Sequence, residues 1–265
     1  MTRTAVIAGQ GALAPAVVAA LDDPLVYALE GFDPDLPATR FRLERLVPFL
    51  DGLIEAGVSR VVFAGAIRRP SLDPEAFDPR TAQLVPRILT AMQTGDDAAL
   101  RVVLDIFEEH DLAICGVDQI LPELVPAEGL LVGTPSDADR RDAARAAEIL
   151  TGLGPFDIGQ GAVVVQGLCL AIETLPGTAS MLEFAAAHAG LRPDPRGARG
   201  VFYKAPKPGQ DRRVDLPAIG PDSVLQAAAA GLAGIAWQAG GVLVLDRAET
   251  VRRAEAAGLF LWARA

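Results

Sequence analysis

Histidine, cysteine and aromatic residues are scarce in this chain of 265 residues, which has two histidines, two cysteines and 5% Phe, Trp and Tyr. His110 and His188 each close a helical pattern, where a cation suits the helix dipole, so neither is expected to act as a catalytic base. Acid–base chemistry is therefore expected from carboxylates. Cys115 and Cys169 lie far apart in apolar segments, and we interpret them as small buried thiols rather than as a disulfide or a metal pair.

Basic patches and long apolar runs are missing as well. The chain has 24 Lys and Arg against 34 Asp and Glu, and a formal charge of -10 repels the phosphates of nucleic acids. The most apolar stretch, residues 162–172, is interrupted by Gln166 and Gly167 and is shorter than the about 20 residues of a membrane-spanning helix. A strand pattern begins directly after Arg3, which argues against an export signal. We expect a soluble protein that is at most peripheral to a membrane.

The first half alternates short apolar runs with helical patterns. Strands are predicted at residues 4–8, 25–29 and 60–64, with an amphipathic helix over residues 43–56. Strands that alternate with helices at this spacing favour a parallel sheet covered on both faces. A run of Pro and Gly that ends near Pro135 predicts the end of this first domain.

The second half is punctuated differently. Ser136 is expected to cap a charged helix that runs to about Leu150. Residues 161–165 and 168–173 are predicted to form a β-hairpin across Gln166 and Gly167. We therefore predict two domains, residues 1–135 and residues 136–265, of which the second is a distinct α/β domain.

A glycine-rich turn follows the first predicted strand. Gly9 and Gly11 fit the pattern G-x-G-x-x-A where a strand gives way to a helix, so backbone N–H groups there are candidates for binding a phosphate. Glu30 ends the second predicted strand and suits a ribose hydroxyl, which makes an NAD(P)-dependent oxidoreductase an alternative. The remaining interpretation is that the glycines only permit a tight turn.

Two further groups of polar residues have both a structural and a functional interpretation. Asp97 follows Thr94 and Gly95 at a helix start, where it complements the helix dipole, or it binds a sugar or a metal-bound water together with Arg68 and Arg69. Gln160 is either a turn residue or a ligand contact. Thr178 is either a helix N-cap or a ligand of a phosphate oxygen.

The densest group of charges lies in the Pro-rich loop of residues 204–217. Within twelve residues it contains two lysines, two arginines and two aspartates. Cations offset the charge of a pyrophosphate, while a carboxylate orients water or binds a divalent ion. We favour a pyrophosphate cleavage site over a solvated charged loop, because proline holds the backbone in a fixed conformation.

Five segments together resemble the LpxI-type UDP-2,3-diacylglucosamine pyrophosphatases. They occur in the family's order and cover nearly the whole chain: IAGQGALAP (residues 7–15), FAGAIRRP (63–70), TGDDAALR (94–101), DIGQGAVV (157–164) and KAPKPGQDRRVDLPAIGPD (204–222). The resemblance implies a Rossmann-like N-terminal domain with a parallel sheet, joined to a distinct C-terminal α/β domain.

The resemblance also implies a reaction. The family hydrolyses UDP-2,3-diacylglucosamine to 2,3-diacylglucosamine 1-phosphate and UMP in lipid A biosynthesis, with Mg²⁺ and with water attacking the sugar-side phosphorus. It implies a cytoplasmic homodimer, peripheral to the inner membrane. Asp215 aligns with the catalytic aspartate and is a tentative metal ligand. The expected substrate-binding residues are Gly9, Gly11, Arg68, Asp97, Gln160, Thr178, Lys204, Lys207, Gln210, Asp211 and Arg213.

Two positions depart from the family pattern. Ala179 stands where the family commonly has Asp, and Ala218 stands where it commonly has Thr. A metal-ligand role for the first position therefore does not carry over to this chain. This departure leaves a second alternative, a regulator that binds a nucleotide sugar without catalysis.

Overall fold

The chain folds into two compact units. The computed structural model describes residues 3–68, 70–93 and 95–265, without the side chain of Asp96. The first unit consists of the chain up to Pro122 together with the segment Asp211–Asp215, and the second consists of Glu123–Gln210 and Leu216–Ala265. The units thus divide before the predicted boundary near Pro135, because residues 129–132 pair with the last strand of the second unit.

The described part of the first unit contains a five-stranded sheet in the order β3-β2-β1-β4-β5. All of its pairings are parallel, which confirms the predicted α/β class. Its elements are β1 (Arg3–Ala8), α1 (Leu13–Ala19), β2 (Leu25–Leu29), β3 (Thr39–Phe41), α2 (Leu46–Glu55), β4 (Val58–Ala64), α3 (Pro79–Ala82), α4 (Val85–Met92), α5 (Asp96–Glu108), β5 (Ala113–Ile114) and α6 (Val117–Ile120).

The centre of this sheet is buried on both faces. Residues 4–8 of β1 are all buried, as expected for a parallel strand covered by helices on both sides. One core contains Ile7 of β1, Leu50 of α2 and Phe107 of α5. Strand order reverses at β1, since β2 and β4 lie on its opposite sides. In such sheets ligands bind outside the carboxyl ends of the strands at this point.

The second unit contains a mixed sheet in the order β6-β13-β11-β9-β7-β8. Strands β9, β11 and β13 are parallel, whereas β6, β7 and β8 pair antiparallel with their neighbours. The elements are β6 (Gly129–Val132), α7 (Asp137–Leu153), β7 (Gly161–Val165), β8 (Leu168–Ile172), α8 (Gly177–Ala187), β9 (Val201–Lys204), β10 (Ala218–Ile219), α9 (Pro221–Ala229), β11 (Gly234–Gln238), β12 (Leu243–Val244), α10 (Arg247–Ala257) and β13 (Phe260–Arg264).

The predicted β-hairpin is confirmed as β7 and β8. Gln166 and Gly167 form its two-residue turn with φ of 52° and 82°, the left-handed backbone that such turns require. The buried carboxylate of Asp142 accepts hydrogen bonds from both turn N–H groups, at 2.9 and 2.7 Å. A side chain of α7 therefore holds the conformation of this turn.

Some local predictions differ from the structure. Cys115 is buried as expected, but Cys169 is exposed because β8 is the edge strand of its sheet. Asp222 directly precedes Ser223 and a predicted helix, which indicates an N-cap, but in the structure it lies inside the first turn of α9, and Gly220 is the N-cap. Among the described residues, no helix combines the length and the apolarity that crossing a membrane requires.

Candidate active-site residues

The glycine-rich turn after β1 is joined to the turn after β4. Gln10 and Ala66 exchange two backbone hydrogen bonds of 2.9 Å, and Gly9 N–H donates to Ala64 O at 2.8 Å. A Cβ on Gly9 would stand 2.7 Å from both Ala66 O and the carbonyl carbon of Gly65. Gly9 is thus required by a close backbone approach within the protein, which is a structural role.

Gly11 differs from Gly9. Its φ is 94°, and a Cβ there would meet no atom within 4 Å, so space lies open beside this backbone. Arg68, which follows β4, is exposed. Both residues follow the carboxyl ends of neighbouring strands of the parallel sheet, where ligands commonly bind.

Other residues of the first unit that were predicted to bind a ligand have a structural role where the structure describes them. Asp97 lies in the first turn of α5, where an acidic residue complements the helix dipole. Arg69 and Thr94, which belong to the same prediction, lie outside the described residues. Glu30 forms an ion pair with Arg42 at 3.2 Å.

The segment Asp211–Asp215 is anchored within the first unit. Arg213 donates from Nη2 to Asp211 Oδ2 at 2.7 Å and from Nη1 to Glu108 Oε1 of α5 at 2.5 Å. Val214 packs against the core of this unit. The Cα of Arg213 would stand 3.4 Å from a Cβ placed on Gly116, so the segment passes beside the turn after β5.

These contacts fix the charge of the two partners. The guanidinium of Arg213 lowers the pKa of Asp211, and Asp211 together with Glu108 raises the pKa of Arg213. Both side chains stay ionised through the neutral range. The charges of Arg213 and Asp211 are directed to each other, so in this structure the pair holds the segment that carries Asp215. That the two residues bind substrate stays a prediction.

A buried polar cluster forms in the second unit at the end of β9. Lys204 Nζ donates to Thr178 Oγ1 at 2.5 Å, and Thr178 Oγ1 donates to Glu173 Oε1 at 2.9 Å. Lys204 Nζ also lies 3.5 Å from Glu173 Oε2, and both side chains are largely buried. We call Lys204, Thr178 and Glu173 the Lys204 cluster.

The geometry of β7 leaves room for the Lys204 cluster. Gly161 pairs with Lys204 in the sheet. A Cβ on Gly161 would stand 2.6 Å from Glu173 Oε2, so any larger residue would push this carboxylate out of place. The glycine that starts β7 is therefore needed to leave space for the Glu173 carboxylate of the cluster and not to form a turn.

The loop after β9 is tied to the turn before β7. Gln160 Nε2 donates to Gln210 Oε1 at 2.9 Å, and Lys207 N–H donates to the same oxygen at 2.9 Å. The ammonium group of Lys207 forms an ion pair with Asp157. Gln160 and Gln210 thus fix the conformation of the lysine-bearing loop in the second unit.

The acidic residues of the chain do not form a metal-binding cluster of their own where the structure describes them. Among the described residues, no three His, Cys, Asp or Glu side chains are grouped closely enough to hold a metal ion by themselves. Oδ1 of Asp211 accepts from Arg213 Nε at 3.0 Å and Oδ2 accepts from Arg213 Nη2 at 2.7 Å. Mg²⁺ usually keeps several waters and binds through one or two carboxylates and substrate phosphates, so it does not require such a group of side chains.

Both halves of the chain match family models. Residues 3–124 match the model of the LpxI N-terminal domain, and residues 127–262 match that of the LpxI C-terminal domain. The chain belongs to the LpxI family. A relative from Caulobacter vibrioides, named UDP-2,3-diacylglucosamine pyrophosphatase LpxI, is 37% identical over 272 residues, which cover 98% of this chain and 97% of the relative.

In this LpxI protein the predicted residues fall into two groups. The first unit contains Gly9, Gly11, Arg68, Asp97, Asp211, Arg213 and Asp215. The second unit contains Gln160, Thr178, Lys204, Lys207 and Gln210. Sequence reasoning missed three partners, Glu173, Asp157 and Glu108. Glu173 carried a usable signal, because it is the one charged residue between the apolar hairpin and Pro176.

The departure from the family pattern at Ala179 lies at the start of α8. Ala179 follows Thr178 in the first turn of α8 and is exposed. Position 179 therefore offers no carboxylate to a ligand, and the polar residue next to it is Thr178 of the Lys204 cluster.

Proposed function

We propose that this LpxI protein hydrolyses UDP-2,3-diacylglucosamine to 2,3-diacylglucosamine 1-phosphate and UMP, as a cytoplasmic step of lipid A biosynthesis. The observation that carries the proposal is the similarity to the Caulobacter pyrophosphatase over nearly the full length of both chains. A homodimer that works at the inner-membrane surface is part of the same proposal.

The Lys204 cluster supplies an anion-binding group. Its ammonium group is buried and already oriented by Thr178 and Glu173, so little rotational freedom is lost when a phosphate oxygen replaces part of this contact. Lys207, held by Asp157, adds a second positive charge from the same loop. These cations offset the charge that grows on the bridging oxygen as the pyrophosphate bond breaks.

Asp215 is the proposed general base. Its carboxylate takes a proton from water while the water oxygen bonds to the sugar-side phosphorus, and the bond from that phosphorus to the bridging oxygen breaks. The bridging oxygen leaves with UMP. Arg213, Asp211 and Glu108 hold the segment in which Asp215 lies, and an anchored base is what proton transfer from a positioned water requires.

Mg²⁺ is the proposed cofactor, with Asp215 as its protein ligand. A bound Mg²⁺ would neutralise charge on the pyrophosphate oxygens. Hydrolysis should stop after exhaustive treatment with EDTA and return when Mg²⁺ is added. Full turnover without a divalent ion would contradict this part of the proposal.

The direct test uses purified protein and UDP-2,3-diacylglucosamine in ¹⁸O-labelled water. The label should enter the phosphate of the sugar lipid, and label in UMP would contradict attack on the sugar-side phosphorus. Turnover itself separates an enzyme from a regulator that only binds. A thermal-shift series with UMP and NAD covers the remaining alternative, since stabilisation by NAD alone would favour the oxidoreductase.

A further inference from the structure

A largely apolar groove runs along the edge of the second sheet, where β8 faces α8. Its volume is about 620 Å³, within the range of small-molecule sites. The lining residues come from the edge strand, the following loop and one face of the helix: Cys169, Leu170, Ala171, Ile172, Thr174, Pro176, Gly177, Ser180, Met181 and Phe184. We call this surface the β8–α8 groove.

The groove adjoins the Lys204 cluster at two points of the chain. Ile172 lines the groove and is followed directly by Glu173, and Gly177 lines it and is followed directly by Thr178. The residues that follow the apolar lining at the two ends of this loop are thus the carboxylate and the hydroxyl that contact the buried ammonium group of Lys204. This pattern complements an amphiphile whose phosphate and hydrocarbon parts are near each other.

The groove is also open to solvent and rimmed by apolar side chains. Phe184 is 49% exposed, Leu168 on the edge strand is 59% exposed, and Leu175 in the adjoining loop is 99% exposed. Such exposed apolar surface commonly marks a binding region. Its shape as a groove with a volume of its own, next to a cationic cluster, favours a single hydrocarbon chain over a flat protein partner.

We propose that the β8–α8 groove binds an acyl chain of the substrate while the Lys204 cluster binds its phosphate. This inference rests on the proposed function and adds to it the place at which acyl-chain length is selected. Each methylene group buried there contributes roughly a fourfold gain in affinity. The groove therefore discriminates between long and short acyl chains.

The kinetic test narrows the groove from α8. Ser180→Trp places an indole in the lining, and Glu183→Trp places one on the exposed surface of the same helix, outside the lining. With a substrate carrying two long acyl chains, Ser180→Trp should lower kcat/KM by about fifteenfold, the effect of losing contact with two methylene groups. With a diacetyl substrate both variants should match the parent protein.

Equal losses for both variants, or for both substrates, would overturn the groove assignment. They would leave the proposed hydrolysis intact, because the parent protein would still cleave the long-chain substrate. Failure of the parent protein to cleave either substrate would instead count against the proposed function.

A second measurement uses the unaltered protein. Cys169 is exposed in the groove and Cys115 is buried, so N-ethylmaleimide should modify Cys169 first, as mass spectrometry of peptides would show. The long-chain product of the proposed reaction, 2,3-diacylglucosamine 1-phosphate, should slow this modification at least severalfold, whereas N-acetylglucosamine 1-phosphate should not. Protection that depends on protein concentration and not on the lipid would overturn the proposal in favour of a second copy of the chain on this groove.

Discussion

Lys204 shows how this chain keeps a positive charge in a largely buried position. Its ammonium group has a hydroxyl partner in Thr178 and a carboxylate partner in Glu173. A buried ion pair of this kind adds little net free energy to folding. Removing one partner is nevertheless strongly destabilising, because the other charge stays buried without a partner. Binding and stability can therefore be separated by mutation.

Lys204→Met is expected to destabilise the protein by about 3–5 kcal/mol, since the carboxylate of Glu173 stays buried without its cation. The double variant Lys204→Met with Glu173→Gln should recover most of this loss but none of the lost activity. Urea unfolding and steady-state kinetics of the single and double variants would measure both. A double variant as unstable as Lys204→Met alone would mean that the two side chains do not compensate each other.

Asp215→Ala should lower kcat by about 10² to 10⁴, the usual effect of losing a general base. The Lys204 cluster and Lys207 remain, so substrate should still bind, which single-turnover assays and isothermal titration would show. The matched control is Asp222→Ala. Asp222 is 91% exposed beside Arg253, so its loss should cost at most about 1 kcal/mol. The reverse result would place the catalytic carboxylate at Asp222.

At the scale of elements, the turn after β1 and the turn after β4 are joined by the backbone hydrogen bonds between Gln10 and Ala66. Gly9 and Gly11 lie in the same turn and satisfy different requirements. Gly9 needs the space that a Cβ would take from the β4 turn, while Gly11 needs a left-handed backbone with nothing beside it.

Gly9→Ala should destabilise the protein by about 1–3 kcal/mol, because the added Cβ forces backbone atoms apart, without a specific effect on KM. Gly11→Ala should cost about 1–2 kcal/mol of backbone strain and raise KM, since it adds a methyl group where space is open to a ligand. Thermal unfolding and KM for both variants would check this. An unchanged KM for Gly11→Ala would leave both glycines with structural roles alone.

Local signals predicted most elements of the fold. The β7–β8 hairpin follows from two apolar runs around Gln166 and Gly167, and α7 begins at Ser136, whose hydroxyl accepts from Asp139 N–H as the expected cap. Strand β11 was missed, although it lies between β9 and β13. A parallel strand pairs only with residues distant in sequence, so no turn next to it marks its position.

The candidate site was predicted less completely for the same reason. The residue types of the loop after β9 were evident, but the partners of its charges lie far away in sequence. Arg213 and Glu108 are 105 residues apart, and Lys207 and Asp157 are 50 apart. The sequence therefore predicted that the loop carries several cations, but it did not predict that Arg213 donates hydrogen bonds to Asp211.

At the scale of the whole molecule, the two units are expected to respond differently to acid. Arg213 lowers the pKa of Asp211. Burial opposes ionisation of Glu44 and Asp78, but hydrogen bonds from Asp73 N–H and Thr81 respectively lower their pKa values overall. These three carboxyl groups belong to the first unit. Their contribution to stability is present above the unfolded pKa, about 4, and is lost as pH falls through the lowered values.

The pKa of Asp142 in the second unit is shifted in the opposite direction. Burial raises its pKa, so its contribution is present below the unfolded pKa and is lost as pH rises through the raised value. Glu249 of the second unit has its pKa lowered to about 2 by Arg252 and Arg253, but these are surface ion pairs that water screens, so they contribute little to stability. We therefore expect the first unit to unfold before the second as pH falls below about 4.

Both tryptophans of the chain, Trp237 and Trp262, lie in the second unit, so fluorescence reports on that unit alone. Circular dichroism should lose signal at a higher pH than tryptophan fluorescence does. Coincident transitions would show that the units unfold together.

The segment Asp211–Asp215 makes the chain pass from one unit to the other three times, after Pro122, after Gln210 and after Asp215. A gene fragment that ends near Pro122 would encode a first unit without the piece that carries its proposed base. A single recombination event could therefore not exchange that unit for another without leaving this piece behind. We expect the two halves to be inherited as one block, and attempts to produce the first half as a separate polypeptide to require residues 211–215 in trans.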